Sequence, residues 1–178
     1  MRTESELLPE EPIEKSTWGA GPWQTEPDRV EWEHAGLPCL ARRNPHSGNW
    51  CGYAAVPPGH PFHGLKYNGD SADDGFSATP AGQVDVHGGL TYSGFCDGHI
   101  CHVPKPGAPA NVFWFGFDCG HSCDFAPGYA ARYPDFFTNA QRREEVYRDL
   151  AYVTAEINQL AEQLVAVALK PRRAIELD

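Results

Sequence analysis

The chain lacks any apolar run approaching the roughly 20 residues that a bilayer-spanning helix needs. Its opening, MRTESELLPEEPIEK, is acidic and has no apolar stretch of the kind a secretory leader requires. The two absences together predict a cytoplasmic protein with no membrane partner. Positive charge is also scarce: 14 Lys and Arg stand against 24 Asp and Glu, for a net charge of −10. Such a chain repels phosphate backbones, which excludes nonspecific binding to nucleic acid. A small anionic ligand needs only a few local cations, and Arg42, Arg43, Lys66, Lys105 and Arg132 are candidates. No Gly-x-Ser-x-Gly elbow, Gly-x-Gly-x-x-Gly fingerprint or phosphate loop is present, so serine chemistry and the common nucleotide-binding loops have no support. No Cys-x-x-Cys pair occurs. In a cytoplasmic chain the six cysteines are expected as thiols or metal ligands, not disulfides.

What is abundant is glycine and proline, 18 and 16 residues in a chain of 178, which predicts short strands and many turns. The length suits a single domain, placed at 16–170, between a flexible acidic tail at 1–15 and a short tail at 171–178. EPDRVEWEHAG reads as a short helix ended by Gly36. LPCLARR and NWCGYAAV flank the turn-rich NPHSG and read as a hairpin, with Cys39 and Cys51 close across it. Residues 57–82 form a long Pro- and Gly-rich loop carrying His60 and His63. QVDVHGGLTYSGF reads as a strand interrupted at Gly88 and Gly89.

NVFWFGFDC is the clearest strand. Val112, Trp114, Gly116 and Asp118 face one side, and Phe113, Phe115 and Phe117 the other. Both faces are apolar, which predicts a buried strand. Thr138 and Gln141 fit a capping box for a helix over about 139–169. Val146, Leu150, Val153, Ile157, Leu160, Leu164 and Val167 make one apolar stripe along it. That stripe packs on the sheet or, in its distal half, forms a homodimer seam. The fold class is therefore α+β: a mostly antiparallel sheet with long loops and one long C-terminal helix packed on it.

Three constellations could carry chemistry. Cys96 and His99, with Cys119, Cys123 or His121, offer a tetrahedral zinc set, although Cys at such positions also serves as a small core residue. Asp118, His121 and Asp124, joined by His87 from the neighbouring segment, offer an acid–base cluster or a hard-metal site. Local bonding to nearby backbone is the simpler account of such residues beside Gly turns. Third, the backbone amides around Gly88 and Gly89, with the Thr91 and Tyr92 hydroxyls, could form an anion nest, or equally a plain strand bulge. The site is expected where HGGLTY meets FDCGHSCD, under the 57–82 loop.

At WCGYAAVPPGHP, DVHGGLTYSG and FWFGFDCGHSCDFAPG the chain resembles a family of bacteriophage and actinobacterial proteins, over roughly residues 18–165. The helix YRDLAYVTAEINQLAEQL is part of the likeness. The resemblance attaches no activity. It implies a small residue where Cys123 stands, so Cys123 is a weak shared ligand and His87, Asp118, His121 and Asp124 gain weight. It also implies a phage–host setting, the host cytoplasm, where small proteins bind or degrade nucleotide signals of antiviral defence. The resulting expectation is a small hydrolase, with zinc or another divalent metal as an optional aid, acting on a phosphorylated or nucleotide-like molecule. One alternative is a non-catalytic protein that sequesters a small nucleotide signal. Another is an interaction protein engaging a host protein through the long helix.

Overall fold

The computed structural model describes residues 8, 11–69, 75–136 and 144–170. Five strands, β1 (Arg29–His34), β2 (Leu37–Arg43), β3 (Trp50–Val56), β4 (Tyr92–Phe95) and β5 (Phe113–Asp118), form one sheet in the order β1-β2-β3-β5-β4. Every neighbouring pair is antiparallel. Among the described residues three α-helices accompany them: α1 (Pro80–Gln83), α2 (Pro127–Arg132) and α3 (Leu150–Leu169). The α+β architecture with a C-terminal helix on the sheet is thus the observed one.

The alternation in β5 places its residues as its sequence dictates. Phe113, Phe115 and Phe117 join the core under α3, while Val112 and Trp114 join a smaller cluster on the opposite face. The stripe Val153, Ile157, Leu160, Leu164 and Val167 is buried against that first face, beside Trp50, Ala54 and Val56. Gly52 permits the close approach: a Cβ there would lie 2.6 Å from the Phe117 ring and 2.7 Å from Ile157 Cγ1. Because the stripe is consumed by the chain's own sheet, it leaves no seam of that kind for a second copy.

Four local expectations are corrected. The segment read as a helix before Gly36 is strand β1, because Ala35 (φ 51°) and Gly36 (φ 80°) make a two-residue turn with both φ values positive. That is the turn twist antiparallel hairpins select. Cys39 and Cys51 are not partners: Cys39 stands opposite Ala54, and Cys51 opposite Arg42. Of QVDVHGGLTYSGF only Tyr92–Phe95 is strand, since Gly89 N–H bonds back to the Val86 carbonyl in a turn at Gly88.

The long helix also starts later than the stripe suggests. Asp149 is its N-cap, accepting a bond from Tyr152 N at 2.8 Å, while Val146 lies in a parallel bridge to Asp124. The capping box at Thr138 and Gln141 lies outside the described residues.

The start of α3 is fixed by a buried polar knot. Arg43, with no exposed surface, donates to Glu26, Asp28, Tyr147 Oη and the Gly48 carbonyl at 2.7–2.9 Å. Its guanidinium stacks on Trp50, 4.3 Å from the ring centre. Glu26 in turn accepts the Leu150 N–H at 3.0 Å, the first amide of the helix. Arg43 is therefore a structural residue and no ligand anchor.

Candidate functional site

The site forms where three segments meet at one end of β5. The first is the 85–88 turn, held by one flank of α3. Gln163 clasps both the N–H and the carbonyl of Asp85 at 2.7 Å, and Glu156 accepts the His87 N–H at 2.8 Å. The second is the loop 119–126 leaving β5. The third is the extended segment before α3, whose Val146 exchanges backbone bonds with Cys123 and Phe125 at 2.9 Å. That pairing delivers Arg148 to the loop.

At the junction Asp124 is 6% exposed and accepts from three donors. Arg148 Nε binds Oδ1 at 2.9 Å; His87 Nε2 and His121 N–H bind Oδ2 at 2.7 and 3.1 Å. Burial is the largest influence on this carboxyl and pushes its pKa up. The bonds from Arg148, His87 and the His121 amide together outweigh it and hold the group below the usual Asp value. His87 is gripped at its other nitrogen too, with Nδ1 3.0 Å from Tyr152 Oη. His121 presents Nδ1 3.5 Å from Asp124 Oδ2, too far for a good hydrogen bond, and this buried atom has no hydrogen-bond partner. The ring sits directly over Gly88, where a Cβ would come within 2.0 Å of His121 Cε1. The glycine is thus required by the imidazole, and its φ of 66° suits it to the turn.

The cluster borders a cavity of about 550 Å³. His121, Asp124 and Asp118 line it, with Thr91, Tyr92, Tyr53, Cys51, Asn49, Tyr129 and Glu145 around them. Asp118 accepts from Thr91 Oγ1 and from Gly120 N–H, each at 3.0 Å. Among the described residues no Lys or Arg lines this space. Arg42, half-buried on β2, lies outside the lining. The described part of the 57–82 loop does not cover it. His60 bonds instead to the Leu164 carbonyl at 2.8 Å and His63 to the Asn111 carbonyl at 2.7 Å.

The anion nest is largely closed: the His87 and Gly89 amides are spent on Glu156 and Val86, and only the Thr91 and Tyr92 side chains of that set reach the cavity. The cysteine-based zinc set is not assembled. Cys96 is joined to Cys101 in a disulfide, against the expectation of thiols throughout, and its loop is pinned by Arg29 on the carbonyls of His99 and Cys101. Cys119 is buried in the core beneath α3, where burial pushes its thiol far up. His87, His121 and Asp124 do come together, with ligand atoms all within 4.8 Å of one another, and could hold a metal ion. No helix among the described residues is long and apolar enough to cross a membrane.

Sequence reasoning missed Arg148, Tyr152 and Glu156. Tyr152 and Glu156, four apart, share one face of α3 beside the apolar stripe, but Arg148 precedes the N-cap Asp149, so the local sequence did not mark the three as a group. No known protein family, curated protein or solved structure matches the chain.

Acid should act first on these buried carboxylates. Glu26, like Asp124, is held below its usual value: burial opposes this, and the bonds from Leu150 N–H, Tyr147 and Arg43 prevail. A depressed carboxyl contributes stability above its unfolded pKa and loses it as pH falls through the folded one. Unfolding free energy should therefore be level from neutrality to about pH 5 and fall steeply below about pH 4. Asp124→Asn should flatten that fall in urea titrations across the acid range. An unchanged slope would contradict the depressed carboxyl.

Proposed function

We propose that the chain is a small hydrolase working at the His121–Asp124 edge of the cavity. The observation that carries this reading is the cluster of His87, Asp124 and His121 at the rim of a space of about 550 Å³, within the range typical of small-molecule sites. His121 is the imidazole that borders the cavity, and in this reading it takes a proton from the attacking water. Asp124, fixed by Arg148 and His87, orients and stabilises it as it becomes charged.

The substrate class that fits the rest of the lining is a phosphorylated or nucleotide-like molecule. Tyr53, Tyr92 and Tyr129 offer ring faces for a base, and Asn49 and Thr91 offer polar contacts. Asp118 and Glu145 repel a bare phosphate, so an anionic substrate enters only with a cation between. Were zinc or another divalent ion held by the histidines, His121 would be its ligand and no longer the base, and the ion would supply the activation of water.

The test is incubation of the protein with mono-, di- and cyclic nucleotides and simple phosphoesters, with products read by mass spectrometry. A product should form in the wild type and fall by about 10²–10⁴-fold in His121→Ala, the usual worth of a general base. Cys123→Ala should behave as wild type. A second reading, sequestration without turnover, is favoured by one feature. Both oxygens of Asp124 are already engaged, as in a fixed clasp. A ligand bound tightly and recovered unchanged would establish it against the hydrolase.

A further inference from the structure

We infer that His87 Nε2, His121 Nδ1 and Asp124 Oδ2 form a three-ligand site for a transition-metal dication of the zinc class, with its remaining coordination position open to the cavity. The inference deepens the hydrolase reading by naming the ion at its centre, and it stands or falls by metal binding alone.

Three features of the cluster go beyond the mere presence of donors. First, the donor atoms are almost at coordination spacing. Around a tetrahedral zinc with bonds near 2.0–2.1 Å, ligand atoms lie about 3.3 Å apart. His121 Nδ1 and Asp124 Oδ2 are 3.5 Å apart, and His87 Nε2 and the same oxygen are 2.7 Å apart. Opening the second pair by roughly half an ångström, as the shared proton leaves, brings both edges at Asp124 to that spacing, and the two imidazole nitrogens lie within 4.8 Å of each other. His121 Nδ1 has no hydrogen-bond partner to surrender.

Second, two of the three ligands, His87 and Asp124, already have an outer partner on the atom a metal would not use. Tyr152 Oη stands 3.0 Å from His87 Nδ1, ready to accept its proton once Nε2 is metallated. Arg148 holds Oδ1 of Asp124, and the His121 N–H on Oδ2 leaves that oxygen a further lone pair for the ion. Such partners fix tautomer and orientation in metal sites.

Third, the donor set selects the ion. Two imidazoles and a single carboxylate suit zinc and its neighbours. Calcium and magnesium ask for several oxygens, and the sole carboxylate here is shared with a guanidinium. Three protein ligands with one position open is the arrangement of sites that activate water, whereas structural zinc is enclosed by four. The His121 and Asp124 side chains line the cavity, so the open position faces the space where substrate would lie. The ion also supplies the positive charge that Asp118 and Glu145 otherwise deny a phosphate.

The experiment titrates the full metal-stripped chain with zinc and, separately, cobalt, using calorimetry and the cobalt visible spectrum. One equivalent should bind, with the intense visible bands of low-coordinate cobalt. His87→Ala and His121→Ala should each weaken binding at least 100-fold. Tyr152→Phe, which keeps the ring packing, should weaken it about 10-fold or more through the lost outer bond. Cys119→Ala and Cys123→Ala should bind as wild type. No uptake, uptake unaffected by both histidine variants, or loss in a cysteine variant overturns the site. The result separates cleanly from the hydrolase proposal: tight metal binding without turnover sinks only the latter, and turnover undiminished in chelator sinks only the metal.

Discussion

Arg43→Leu is expected to lose about 3–5 kcal/mol of folding stability, the cost of removing one partner from a buried charge network. The guanidinium meets four acceptors from three separate stretches of chain: Glu26 and Asp28, the Gly48 carbonyl, and Tyr147 Oη. Leucine would strand Glu26, whose carboxylate also holds Tyr147 Oη at 2.5 Å and the first amide of α3. For a chain of this size the loss corresponds to a fall in Tm of roughly 10 °C. Arg43→Lys should rescue little, because one ammonium cannot span a fork of acceptors. Combining Arg43→Leu with Glu26→Gln should recover part of the loss, since the unpaired carboxylate causes much of it. Urea unfolding measures all three. An Arg43→Leu chain within about 1 kcal/mol of wild type would mean that the knot is ornamental.

Gly88→Ala is expected to cripple the site while leaving the fold. The new methyl would overlap the His121 ring at 2.0 Å, so the imidazole must move off Asp124. A displacement near 1 Å in a catalytic group can reduce turnover about 100-fold. Gly89→Ala is the matched control. It shares a positive φ, 83° against 66°, but its methyl would meet nothing within 4 Å. Both substitutions carry the backbone strain of a left-handed alanine, on the order of 1–2 kcal/mol. Only Gly88→Ala should lose turnover and metal. Equal losses in the two would assign the effect to strain in the turn and not to the seat of His121.

Much of this architecture is legible in the chain itself, and the failures have identifiable causes. The two-faced alternation of β5 and the apolar stripe of α3 follow from local periodicity, and both elements sit where that periodicity puts them. The beginning of α3 could not be read this way. Val146 continues the stripe four residues before Leu150, yet it is drawn into pairing with the 123–125 loop, and the helix is started by Asp149 and by a carboxylate 124 residues earlier. Arg43 looked like an anion anchor because nothing nearby in sequence neutralises it; its partners arrive from distant segments. His87, His121 and Asp124 were identifiable as a group by type and by the Gly-rich turns around them. Their outer partners were not: Arg148 precedes the helix and is placed by the pairing of Val146 with the 123–125 loop, and a polar side chain on a helix flank, such as Tyr152, ordinarily faces water.

The central claim is that His121 and Asp124 direct water onto a bound substrate. Its most direct test is hydrolysis in water enriched in heavy oxygen, on whichever phosphoester or nucleotide the wild type converts. The account predicts product carrying a heavy oxygen atom from solvent, formed by the wild type and by Cys123→Ala but lost in His121→Ala. Product without solvent oxygen, or unimpaired labelling in His121→Ala, would contradict it.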